Sequence, residues 1–121
     1  MSSDRIVVEF SYWLYGRYFR NAMVRRPEVN NLDIEEISKK YAVKAQIRYT
    51  KSTYYSIGRP PRRYRKAIIT VYSEYPDEIR GFLREIVLLY GHPDEIPLAF
   101  TMNKRAGRAI LKAMLKEYPK R

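Results

Sequence analysis

The sequence predicts an α+β domain: a small, mainly antiparallel sheet with a long basic hairpin loop and helices packed on one face. Three observations carry that expectation. Val43, Ala45, Ile47 and Tyr49 alternate with Lys44, Gln46, Arg48 and Thr50, the period of a half-buried strand with a basic outer face. A second strand-forming run, residues 66–73, contains Ile68, Ile69, Val71 and Tyr72. Further on, Ile79, Phe82, Leu83, Ile86, Leu89 and Tyr90 recur at helical spacing. The full order reads β-α-α-β-β-α-(β)-α. With 121 residues and no repeat or linker, the chain is expected to be one domain.

In order, Arg5–Phe10 reads as a strand because Ile6, Val7 and Val8 are β-formers. Residues 12–26 read as a helix, with Tyr12, Tyr15, Phe19, Ala22 and Met23 on one stripe and Pro27 as its stop. A short helix to about Tyr41 follows, with Asp33 as N-cap and Glu36 three residues on. The hairpin then occupies residues 43–73, and residues 51–65 form its exposed loop. Gly58 supplies the turn and Pro60-Pro61 stiffens it. Pro76, Asp77 and Glu78 suit the first turn of the next helix, and Gly91 suits its end. Leu98–Phe100 is a short apolar segment with strand character. A last helix runs from about Asn103 to Tyr118, and residues 119–121 form a frayed tail.

Composition narrows the function. A net charge of +11 is large for this length, and self-repulsion favours an anionic partner. No apolar run reaches the ~18 residues of a spanning helix, so no membrane role is expected. Met1–Arg5 lacks the pattern of a secretory signal, which points to a cytoplasmic protein. The absence of cysteine excludes thiolate metal sites and disulfides, and a single histidine excludes an imidazole-rich metal site. No cofactor or metal is therefore expected. Many charges, many tyrosines and no cysteine would suit a thermophile.

The working surface is expected between Ile37 and Ser73. This stretch has ten Lys or Arg residues, six of the twelve tyrosines and no Asp or Glu. A solvated surface normally mixes its charges, so this one-sided run points to nucleic acid. Arg59, Arg62, Arg63, Arg65 and Lys66 are the candidate phosphate contacts, extended by Lys44, Arg48 and Lys51. Tyr54, Tyr55 and Tyr64 are candidates for stacking on bases. On the last helix, Arg105, Arg108, Lys112 and Lys116 form a second basic ridge. Catalysis has little support. His92 has no nucleophile motif beside it, the glycines are isolated, and capping explains the clustered acids.

Two short stretches resemble known motifs. Ile34-Glu-Glu-Ile-Ser-Lys-Lys-Tyr-Ala-Val43 resembles the first half of a helix-turn-helix, which implies a winged-helix DNA-binding regulator with the basic hairpin as its wing. Leu14-Tyr-Gly-Arg-Tyr-Phe-Arg-Asn-Ala22 resembles the helix motif of LAGLIDADG homing endonucleases, which implies a small or degenerate nuclease. Asn21 stands where that motif supplies a metal-binding carboxylate. The expected function is a non-enzymatic nucleic-acid-binding protein, with RNA favoured, as in a ribosomal or ribonucleoprotein component. Protein partners within a ribonucleoprotein are also expected.

Overall fold

The computed structural model describes residues 5–15, 17–18, 22–23, 29–55, 57–58 and 62–118, with the backbone alone at residues 15, 17, 18, 22, 23, 52, 54 and 62–64. Three long strands, β1 (Ile6–Tyr15), β4 (Lys44–Tyr54) and β5 (Arg62–Ser73), form an antiparallel sheet in the order β1-β5-β4. Two short strands, β2 (Arg17–Tyr18) and β3 (Ala22–Met23), pair separately. The helices are α1 (Asn31–Lys39), α2 (Pro76–Tyr90) and α3 (Met102–Leu115). The architecture is α+β, as the alternation and helical periods predict.

The central strand β5 suits its place. Ala67, Ile69 and Val71 are fully buried on one face, while Ile68, Thr70 and Tyr72 give it β-forming side chains on the other. The core side carries Val8, Phe10, Tyr12 and Leu14 from β1 beside these residues. Ile34 and Ile37 from α1, Phe82 and Ile86 from α2, and Leu111 and Met114 from α3 complete the same core. Phe10 and Tyr12 meet edge to face, with ring centroids 6.0 Å apart.

The expected first helix is not formed. Residues 12–15 continue β1, and residues 17–18 and 22–23 are strand; the rest of that expected helix, with Pro27, lies outside the described residues. The physical reason is a longer period-two pattern. Val8, Phe10, Tyr12 and Leu14 all point into the core, and Tyr12 and Trp13 pair with Ala67 and Lys66 of β5. The Tyr12 hydroxyl also donates to the Gly91 carbonyl at 2.7 Å.

Three smaller corrections follow. The N-cap of α1 is Asn30, not Asp33: Asn30 Oδ1 accepts the Asp33 N–H at 2.8 Å, and Asn30 Nδ2 donates back to Asp33 Oδ2 at 3.0 Å. Asp33 then accepts the Tyr90 hydroxyl at 2.7 Å and ties α1 to α2. The expected loop 51–65 is mostly ribbon, because residues 51–54 pair with residues 62–65 and Lys51, Thr53 and Tyr54 tolerate a strand. Leu98–Phe100 forms no strand; the nearby sheet contact is a single bridge between Ser11 and Glu95.

Helix ends follow the local rules. Pro76 opens α2, and Gly91 closes it at φ +85°, donating to the Val87 carbonyl at 2.7 Å. Thr101 caps α3 by accepting the Lys104 N–H at 3.3 Å. A glycine at 107 lets α3 sit directly on β1, since a Cβ there would lie 2.0 Å from the Val7 carbonyl oxygen. No helix among the described residues is long and apolar enough to cross a membrane.

Candidate functional site

Alternation in the three strands sets up two unlike faces. Opposite the core face, Lys44, Gln46 and Arg48 of β4 are exposed, and Ile68, Thr70 and Tyr72 of β5 are half-buried. Val7, Glu9 and Trp13 of β1 complete this open face and are also half-buried. The register sets Lys44 beside Tyr72, Gln46 beside Thr70 and Arg48 beside Ile68.

A shallow groove of about 630 Å³ crosses this face. Its lining includes Glu9 from β1, Gln46 and Arg48 from β4, Ile68 and Tyr72 from β5, and Lys104 from α3. Cations thus surround a floor that is apolar at Ile68 and aromatic at Tyr72. Glu9 brings a carboxylate to this floor, its nearest oxygen 4.0 Å from Arg48. Arg5 lies 5.9 Å from the Tyr72 ring centroid.

The β4–β5 hairpin extends beyond the three-stranded part of the sheet. β1 pairing ends at Tyr15 opposite Arg65, whereas the β4–β5 register continues to Tyr54 opposite Arg62. At its tip, Gly58 turns at φ +75°, and Ile57 is fully exposed. Tyr55 is 73% exposed, and Lys51 is exposed on the arm. The side chains of Tyr54, Arg62, Arg63 and Tyr64 lie outside the described residues, as does Arg59 altogether.

Several residues of the basic stretch are engaged within the fold. Lys66 is half-buried and reaches Glu95 at 3.1 Å. The Arg65 guanidinium sits 4.4 Å from the centroid of the Tyr49 ring, and the Tyr49 hydroxyl donates to the Val29 carbonyl. Arg65 and Lys66 are therefore both half-buried and engaged with other parts of the fold. Tyr41 packs over Gly81, where a Cβ would meet its ring at 2.3 Å. Its hydroxyl donates to Glu85, which also accepts from Lys40 at 2.9 Å. Those two donors, Tyr41 first, hold the Glu85 carboxyl below its ordinary range, and the same bond raises the Tyr41 hydroxyl.

The cations of α3 divide. Arg105 holds the preceding loop by donating from Nε to the Ala99 carbonyl at 3.3 Å. Arg108 is half-buried, while Lys112 and Lys116 are exposed. His92 contacts the Tyr118 carbonyl through Nε2, tying the end of α2 to the segment after α3. Among the described residues, no group of three or more His, Asp or Glu is placed to hold a metal.

The open face adds Glu9, Gln46, Ile68, Tyr72 and Lys104 to the candidate basic and tyrosine contacts. Counting in twos from Lys66 reaches Ile68, Thr70 and Tyr72, so that signal was present. Glu9 and Lys104 arrive from distant strands and helices, and no local pattern marks them. The segment after Val43 is β4 rather than the recognition helix that a winged helix would place there. The described part of residues 14–22 is strand rather than the helix of the endonuclease motif. No family model, curated protein or solved structure matches the chain.

Proposed function

We propose that this protein binds nucleic acid, RNA in preference to DNA, through the open sheet face and the hairpin arm, and that it does so as a non-enzymatic component of a ribonucleoprotein. The observation that carries this reading is the arm itself. It is a two-stranded ribbon extending past the sheet, within a 37-residue span that has ten cations and no acid of its own. The ribbon's charge repels the rest of a +11 chain. A phosphate backbone offsets that cost, because each cation that meets a phosphate releases a condensed counterion.

The test is binding to single-stranded RNA, duplex RNA and duplex DNA across a salt series, with wild type and an Arg62→Ala/Arg63→Ala double variant. Arg65 is left in place because it packs on Tyr49. Wild type is expected to show a steep loss of affinity with salt. In the double variant the logarithmic slope should become shallower by about one to two. Identical affinity and slope in the two proteins would sink the reading.

A further inference from the structure

We infer that the open sheet face is a track for single-stranded nucleic acid, and that Glu9 selects an amino-bearing base, cytosine over uracil, on that track. This rests on the nucleic-acid reading above and adds the strandedness and a base preference.

The track is continuous. The groove of about 630 Å³ shares Tyr72 with a neighbouring hollow of about 310 Å³ that also contains Arg5 and Lys44. At its other end it shares Glu9, Arg48 and Ile68 with a hollow of about 170 Å³ that contains Lys66 and Glu95. Together they follow β5 from Ser73 to Lys66, roughly 23 Å at ~3.3 Å per residue. The track therefore leads toward the basic arm.

Its chemistry favours unpaired bases. Tyr72 and Ile68 offer flat or apolar contact to a base face, which a duplex keeps stacked inside itself. Lys44, Arg48 and Lys104 stand around them for phosphates, and exposed Gln46 offers both a donor and an acceptor to a base edge. Glu9 is the carboxylate in the middle of the track; Glu74 and Glu95 stand at its two ends, and Glu95 is paired with Lys66 at 3.1 Å. The Glu9 side chain is 25% exposed and forms an ion pair with Arg48 at 4.0 Å, too long for a hydrogen bond, so its acceptor oxygens are not hydrogen-bonded to that guanidinium. Arg48 offsets part of its charge, and the remainder disfavours a phosphate and favours a hydrogen-bond donor on a base there. An ionised carboxylate only accepts hydrogen bonds. Cytosine meets it with the N4 amino group, whereas uracil has an oxygen there.

The experiment measures fluorescence anisotropy of labelled cytidine and uridine oligomers of about 12 nucleotides, within the ~4–16 range common for single-strand sites. Matched duplexes and poly-glutamate serve as competitors. The proteins are wild type, Tyr72→Ala, Tyr72→Phe, Gln46→Glu, Glu9→Gln and the Arg62→Ala/Arg63→Ala double variant. Wild type should bind the cytidine oligomer about fivefold or more tighter than the uridine oligomer. Tyr72→Ala should lose about fivefold or more for single strands, and Tyr72→Phe should retain them. Gln46→Glu changes an exposed residue, so its loss of binding cannot be ascribed to misfolding. Glu9→Gln should erase the base preference while raising affinity for both oligomers, since an anion is removed.

Equal binding of the two oligomers to wild type overturns the role of Glu9. If Tyr72→Ala and Gln46→Glu bind single strands as wild type does while the arm variant is weakened, the track is wrong and the arm reading stands. Tighter binding of duplexes than of single strands, or of poly-glutamate than of either oligomer, also overturns the track. Failure to bind any nucleic acid removes both proposals.

Discussion

The two faces of one sheet are built from the same strands, yet alternate residues give them opposite chemistry. Ile69 is fully buried beneath the helices, and its neighbour Ile68 lines an open groove between Arg48 and Tyr72. Val8 is fully buried, whereas Glu9 carries a carboxylate onto the open side. Among the described residues, the covered face is closed by α1, α2 and α3 and holds the core, while the open face carries the exposed Lys44, Gln46 and Arg48. The contrast teaches that a strand's period can build a core on one face and a charged, open surface on the other from alternate residues. A substitution on one side should leave the other largely intact.

The largest expected difference tests that separation directly. Ile69→Ala removes a fully buried side chain and should cost about 2–5 kcal/mol. Ile68→Ala, one residue away, should cost less than about 1.5 kcal/mol because its side chain is already partly hydrated. Urea denaturation of both variants measures the gap, and similar losses would mean that the open face is packed after all. A smaller effect is expected at the seam between α3 and β1. Gly107→Ala pushes a methyl group against the Val7 backbone, which cannot swing aside as a side chain could. It should destabilise by about 1–3 kcal/mol in the same assay.

The smallest effect concerns pH and belongs to the covered face. Burial, and then the hydrogen bond to Asp33, push the Tyr90 hydroxyl up to about 12. An unfolded chain ionises this tyrosine near its ordinary 10.0 while the folded chain still holds the proton. The resulting stability is fully present below pH ~10 and is lost as pH rises toward ~12. Tyr90→Phe should flatten that part of the stability profile, as followed by thermal melts between those pH values. An unchanged alkaline slope would show that the Tyr90 hydroxyl carries none of it.

The elements legible in the sequence were those fixed by their own residues. Alternation from Val43 to Thr50 located the start of β4, and the Pro76 and Gly91 signals bounded α2. The end of β1 was not legible in this way. Tyr12, Trp13 and Leu14 fit both a helical and a strand period, and the choice is made by partners far along the chain. Tyr12 and Trp13 pair with Ala67 and Lys66, and the Trp13 backbone N–H donates to Asp94 Oδ2 at 2.8 Å. The same non-local logic hid part of the site. Charge counting found Lys66 but could not reveal that Glu95 meets it, or that Glu9 lies beside Arg48. It also could not separate Tyr72 on the open face from Tyr41 and Tyr49, whose hydroxyls are tied into the body of the fold.

Among the described residues, β4 is hydrogen-bonded to a neighbour on one side only, so its outer edge offers a template to another copy. Lys44, Arg48 and Lys51 along that strand make two such edges repel each other. On the proposed reading, the charges that would attract a polyanion also keep copies apart, and a polymer that neutralised them would let copies gather along one strand.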